Sequence, residues 1–323
     1  MVLVSSTLAL LAARDAGASG FFLSQIGGPD ASPTDPDPTA IFWNPAALGG
    51  VDGLEVQADL ISILRFAHYD RGVDYQWDVK GKTWNQVAGP ERRASLLNYI
   101  PLPFFGLAYQ LSERLSLGLG VYSPFGASSS WDDAEGPQAY HSIAGSNNSI
   151  FFSSSVALRI LRWLHAGLTI SYVRSTASSE RLAEFSDIIG GLPEDPSLLA
   201  TMALEGFAGD AFSAEIGLYA DLEQLRFGLA YQPPISVVNQ GKIVLTPRGD
   251  KIKDVIGDRP AEADAEMSYT LPDNIKASVD YYLRRDLRLR LYLEWVNWSR
   301  FDAIRIDVQR RTVSLLPEAI VDQ

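Results

Sequence analysis

Charge chemistry in this chain is concentrated at a few places. Asp35-Pro36-Asp37-Pro38-Thr39 matches the DxDxT spacing of aspartate-nucleophile phosphatases. That reaction needs the first aspartate at the end of a buried apolar strand, and residues 27–34, GGPDASPT, cannot make one. The same aspartates lack the glycine and distal glutamate of an EF-hand loop. His68, His141 and His165 show no metal-ligand spacing and read as surface or interface residues. No GxSxG, P-loop or helix-leading GxGxxG occurs. Arg226, Lys276, Arg288 and Arg290 fall on the polar positions of alternating runs. Such cations could hold the carboxylate of a greasy ligand, because burying that charge unpaired is prohibitive. The alternative is pairing with Glu215, Asp221, Asp280 and Glu294, which share those faces. No catalytic residue, metal site or cofactor is expected.

Something must position these groups, and composition narrows what. A net charge of −12 argues against a nucleic-acid partner, which would need a basic footprint. The absence of cysteine excludes disulfides and thiolate sites. The organising stretch is Asp35 to Leu48, DPDPTAIFWNPAAL. Pro36, Pro38 and Pro45 forbid a central strand or long helix there. Asn44 can cap a single helical turn with Pro45 at its first position, and Gly49 is expected to supply a left-handed exit. This proline-stiffened knot carries Ile41, Phe42 and Trp43 and needs something to pack inside.

Beyond Gly50 the period is two. Leu54, Val56, Ala58 and Leu60 oppose Glu55, Gln57 and Asp59. The same alternation runs through Phe105–Leu111, Leu115–Val121, Ile150–Ile160, Leu164–Tyr172, Phe212–Leu222, Leu225–Tyr231, Ile275–Leu283 and Leu287–Trp295, about nine strands in all. Residues 112–114, 223–224 and 285–286 are tight turns. Residues 69–92, 128–141, 175–209 and 247–266 are long polar connections. Short turns at one end and long loops at the other suit an outer-membrane barrel. In residues 175–209, helical spacing of Leu182, Phe185, Ile188, Ile189 and Leu192, then of Leu198, Leu199, Met202 and Leu204, predicts two short amphipathic helices. Their apolar faces either pack together or leave a capture groove at Phe185, Ile188, Ile189, Leu199 and Met202. Pro124-Phe125-Gly126 either ends a strand or kinks it.

Residues 1–18 read as a secretory leader, with an apolar run from Val2 to Ala13 and a small-residue cut at Ala16-Gly17-Ala18. Export, strands of ten or more residues, and aromatics near strand ends (Trp163, Tyr172, Tyr231, Trp295, Trp298) favour a membrane barrel over a soluble sandwich. The expected fold is all-β: a transmembrane antiparallel barrel from residue 51 to 323, with residues 19–50 as an N-terminal plug, or hatch, in its lumen.

DPTAIFWNPAAL resembles the Asn-Pro-Ala signature of the long-chain fatty-acid outer-membrane transporters, the FadL/TodX-type uptake channels. Ser19-Gly20-Phe21, LGLGVYSPFG (117–126) and residues 271–306, with Trp295, Trp298-Ser299-Arg300-Phe301, are similar to that family too. The resemblance covers the chain from about Ser19 to its end. It implies a monomeric barrel in the outer membrane of a Gram-negative bacterium, in contact with membrane lipid. It also implies passive uptake of hydrophobic molecules such as fatty acids or hydrocarbons. Asn44, Pro45, Ala46, Phe42 and Trp43 would then gate the plug, and the kink at Pro124, Phe125 and Gly126 would open a side exit. Two departures stand out: Ala47 replaces the usual glycine, and nine strands fall short of the family's ~14, so the barrel is expected to be incomplete at its C-terminus. The rival readings are a structural or adhesive outer-membrane barrel without transport, and an exported soluble β-protein.

Overall fold

The computed structural model describes residues 25–308 except 73–74, 79–82, 87–92, 190–194 and 285. The leader, Ser19 to Phe22 and Leu192 lie outside the described residues. The knot comes first, as helix α1 (Ala40–Trp43) and a 3₁₀ turn, Pro45–Gly50. Strand β1 (Leu54–Asp70) follows, with a small outer hairpin, β2 (Tyr75–Asp78) and β3 (Thr83–Gln86). Next come β4 (Arg93–Ser112), β5 (Leu115–Ser130), β6 (Ala144–Leu161) and β7 (Leu164–Glu184). A cap contains α2 (Ser186–Ile189) and a 3₁₀ turn, Pro196–Leu198. Then come β8 (Leu199–Leu222), β9 (Leu225–Gln232), β10 (Ile235–Pro247), α3 (Asp250–Ile256), β11 (Ala261–Leu271), β12 (Asn274–Arg284), β13 (Leu287–Val296) and β14 (Arg305–Val308).

Twelve of these strands form one curled antiparallel sheet. Pro233-Pro234 interrupts β9 and β10, Pro272-Asp273 interrupts β11 and β12, and residues 297–304 separate β13 from β14. Proline lacks the ladder donor, which is why these long strands break there. Counted through their breaks, the twelve segments trace nine strands, each antiparallel to the next. Among the described residues no ladder joins β1 to β13 or β14. No helix among them is long and apolar enough to cross a membrane.

The oily faces look outward. Ile216, Leu218, Leu229 and Leu291 are exposed, Leu291 at 71%, while Glu215 is buried on the concave side. Along β1 and β4, Leu54, Leu60, Leu64, Phe66 and Leu97 stand out in the same way. A contiguous apolar surface of this size cannot face water on a soluble monomer, where patches stay within a few hundred Å². Rings mark its border: Tyr172 touches Phe152 (5.9–6.0 Å between centroids across this group) and Phe212, and Arg174 pairs with Asp210 at 2.8 Å beside them. Past the proline breaks the outward face turns polar. On β11 Glu262, Asp264 and Glu266 point out, and Ala261, Ala263, Ala265 and Met267 point in.

Three expectations change. The two amphipathic helices reduce to single turns, because β7 and β8 stay paired from Leu164↔Ala220 to Glu184↔Leu199. Leu182 lies on β7, and Leu199, Met202 and Leu204 lie on β8, where ladder bonds satisfy the backbone better than isolated short helices could. The long connections shrink correspondingly: residues 247–266 hold α3 and the start of β11. Finally, Gly49 does not supply a left-handed exit; the chain leaves the turn through Val51 with extended φ of −68°, and the positive φ comes at Gly53.

Candidate functional site: the knot, its socket and a split in the wall

The knot is held together by its own side chains. Trp43 Nε1 donates to Ile26 O at 2.7 Å. Asp37 accepts from both Thr39 N and Thr39 Oγ1, at 2.8 and 2.6 Å, which makes the DxDxT run a turn-former. Asn44 caps the 3₁₀ turn as expected, accepting from Ala46 N at 3.2 Å. Its amide also donates to Pro33 O at 2.8 Å and to Leu218 O, a backbone carbonyl of β8, at 2.9 Å.

The knot rests in a socket of glycines on the inner wall. A Cβ on Gly167 of β7 would overlap the Pro45–Ala46 backbone, and one on Gly217 of β8 would overlap the Asn44 carboxamide. Gly228 of β9 takes Pro33, and Gly118 and Gly120 of β5 take Ile41. Gly49 belongs to this fit, with the His165 ring against it; that ring is buried at the interface. Thr169 Oγ1 adds a bond to Ile41 O at 3.2 Å.

Charge clamps the opposite side. Lys276, 0% exposed, donates to Phe42 O and to Glu215 Oε2, the latter at 2.9 Å, and its ammonium lies 4.1 Å from the Phe42 ring centroid. Arg290 reaches Asp280 at 2.6 Å and Asp35 at 2.8 Å, and Arg288 approaches the same two acids at 3.4 and 3.5 Å. Arg226 pairs with Asp221 at 3.0 Å. All four cations considered as carboxylate binders therefore carry acidic partners. Acids also outnumber bases on this face: Asp35, Asp37, Glu55, Asp59, Glu215, Asp221, Asp280 and Glu294 stand against Arg159, Arg226, Lys276, Arg288 and Arg290.

On the β4–β6 side the contacts are rings. Phe42 meets Trp43 at 4.9 Å and Tyr122 at 5.5 Å; Tyr122 stacks on Phe151 at 5.6 Å and lies 6.0 Å from Phe104; Phe151 meets Phe125 at 6.2 Å. Ser153 Oγ donates to the Tyr122 hydroxyl at 3.0 Å. Here the wall splits. The β4–β5 ladder runs from Ser112↔Leu115 to Phe104↔Tyr122 and stops. Above it β4 pairs only with β1, and β5 only with β6, after a register skip across Ser123-Pro124. Pro101, Pro103 and Pro124 withhold the donors a continued ladder would need. Ser123 Oγ compensates by donating to Ser149 O at 3.0 Å. So Pro124, Phe125 and Gly126 bend a strand that goes on to Ser130.

The loop residues Phe185, Ile188, Ile189 and Met202 pack on Leu245, Ile252 and Ile256, while Leu199 joins Ala139, Ile143 and Leu182. Their apolar surface is thus covered by α3 and neighbouring loops. Asp195 ties this cap together, accepting from Lys251 Nζ at 2.7 Å and Ser197 Oγ at 2.6 Å. The Lys251 bond, then those from Ser197, hold its carboxyl down at about 2. The glycine socket, Tyr122 and Phe151 escaped sequence reading, although glycines on the polar face of four strands were a visible signal.

A curled sheet with a greasy exterior, a polar interior and a knot seated on its inner wall defines an outer-membrane β-barrel. The chain belongs to the outer membrane protein transport protein family (OMPP1/FadL/TodX), whose model matches residues 12–319. Outer membrane protein P1 of Haemophilus influenzae is 22% identical over 91% of this chain and 69% of its own length. A Neisseria meningitidis outer membrane protein is 27% identical over 30% of this chain, a match that spans only 19% of that relative. Among solved structures, a FadL homologue from Pseudomonas aeruginosa superposes with a TM-score of 0.75 at 17% identity, covering 93% of this chain and 74% of its own. The Ralstonia pickettii toluene transporter TbuX gives 0.63 at 15%, covering 86% and 72%. These likenesses place the protein in the outer membrane of a Gram-negative bacterium, in a family of transport channels rather than enzymes.

Proposed function

We propose that the chain passes uncharged hydrophobic molecules through the outer membrane without an energy source, with residues 19–50 as the plug of the 51–323 barrel. The split between β4 and β5 carries this reading, because a line of rings connects the plug residue Phe42 to that split through Tyr122. A ligand would leave sideways into the membrane between the strands, past Pro124, rather than down a watery pore. Toluene and monoaromatic channels among the structural neighbours support the same class of cargo.

A long-chain fatty acid fits less well. Its carboxylate would enter a wall where acids outnumber bases and where Arg226, Lys276, Arg288 and Arg290 are already neutralised. Gly27 and Gly28, with φ of 83° and 90°, give the plug a bend ahead of its fixed part, so movement there could open a path while Asn44 to Ala46 stay seated. The test is flux into proteoliposomes of toluene and of an ionised long-chain fatty acid. Toluene flux well above protein-free vesicles, with the fatty acid at background, is expected. No flux of either would leave a sealed structural barrel as the better account.

A further inference from the structure

The split in the wall does not run to the rim. Four polar contacts close its top. Asn98 of β4 accepts from Ser130 N of β5 at 3.2 Å. Just beyond, Ser95 N donates to Asp132 Oδ1 at 3.0 Å and Asp132 N donates back to Ser95 O at 3.2 Å. Arg65 of β1 reaches Ser128 O at 3.4 Å. The opening is therefore a window, framed below by the Phe104–Tyr122 end of the ladder and above by three side-chain bonds and one backbone bond. A ladder would have used backbone alone. Here Asn98 and Asp132 substitute for it, one side chain on each bank.

Three of these residues, Ser95, Ser130 and Asp132, border a cavity of about 550 Å³ whose walls also include Phe66, Leu97 and Trp131 beside His68 and Arg93. That size suits a small-molecule seat.

We propose that Asn98 and Asp132 form a latch that fixes the height of the window and so sets the largest molecule the channel releases. The inference rests on the lateral-exit reading above and adds the residues that decide its selectivity. With the latch intact, β5 above Pro124 is tethered to β4 and the gap is short. Without it, the end of β5 is held on that side by Arg65 and by the single backbone bond from Asp132 N to Ser95 O, and the gap is free to lengthen toward the loops.

The experiment compares flux of a one-ring and a four-ring aromatic hydrocarbon into proteoliposomes carrying the full chain, for wild type and for Asn98→Ala with Asp132→Ala. Four-ring flux should rise roughly tenfold while one-ring flux holds, the change that losing one or two ordinary hydrogen bonds brings to an opening equilibrium. Because the chain has no cysteine, Ser123→Cys offers a unique thiol at the window, and capping it with a bulky maleimide should stop both fluxes. If capping stops flux but the latch variant leaves the size ratio unchanged, the latch is wrong and lateral exit stands. If capping changes neither flux, lateral exit itself is wrong. Heat-modifiability on gels reports whether the double variant folds. Should it not, Asn98→Cys with Ser130→Cys, oxidised, must lower four-ring flux below wild type, and an unchanged ratio there overturns the proposal equally.

Discussion

The two sides of the knot's seat are built from different interactions. Toward β7, β8, β12 and β13 it meets glycine-bared backbone, Asn44 bonded to Leu218 O, and ion pairs through Lys276 and Arg290. Toward β4–β6, beyond the glycines of β4 and β5, its contacts are rings and it has no ion pair there among the described residues: Phe42 lies against Tyr122, backed by Phe104 and Phe151. The first side is directional. A shift of one ångström breaks short charged bonds in a dry place. The second is forgiving, because offset ring contacts tolerate sliding at a cost of ~1 kcal/mol each. The knot is thus bolted along one side and rests on rings along the side where the wall is split.

That contrast can be broken by substitution. Lys276→Met should have the largest effect, because it leaves Glu215 buried beside Phe42 without its cation. A loss of ~3–5 kcal/mol is expected, measured by urea unfolding in lipid, and Glu215→Met in the same chain should restore most of it. Asn44→Ala removes the amide donor from Pro33 O and Leu218 O and should cost ~1–3 kcal/mol, with protease cutting ahead of residue 51 becoming faster. Tyr122→Leu, on the ring side, should cost no more than ~0.5–1.5 kcal/mol beyond lost area and raise toluene flux. A stability loss there as large as that of Lys276→Met would erase the distinction between the two sides. The smallest effect lies in the outer cap. Asp195 titrates at about 2, below the ordinary 3.8, so its bonds favour the docked cap above pH ~4 and are lost as pH falls toward 2. Protection factors of the α3 amides, which divide out the intrinsic pH dependence of exchange, should fall across that interval and stay flat above it.

Much of the architecture was legible because lipid and lumen impose a strict period of two. The nine strands read from Leu54 to Trp295 correspond one for one to those in the sheet. What escaped were the parts above the oily belt. In β11 the inward residues are Ala261, Ala263 and Ala265, too small to mark a face, and the outward ones are acids, so the stretch read as loop. The site was legible in part. Three prolines announced the knot and Asn44 its cap. The partner of Lys276 was open to guess but not to proof, since Glu215 lies 61 residues away and only the curl of the sheet brings them together.

One consequence concerns the order in which the protein is made. Asn44 bonds to a carbonyl 174 residues later in the chain, and Phe42 to an ammonium 234 residues later. Contacts this distant in sequence carry a large loop-closure cost. The seat of this stretch is complete only once β8 and β12 are in place, and until then Phe42 and Trp43 lack the partners that bury them. A periplasmic escort that shields aromatic side chains would have its most valuable client segment there.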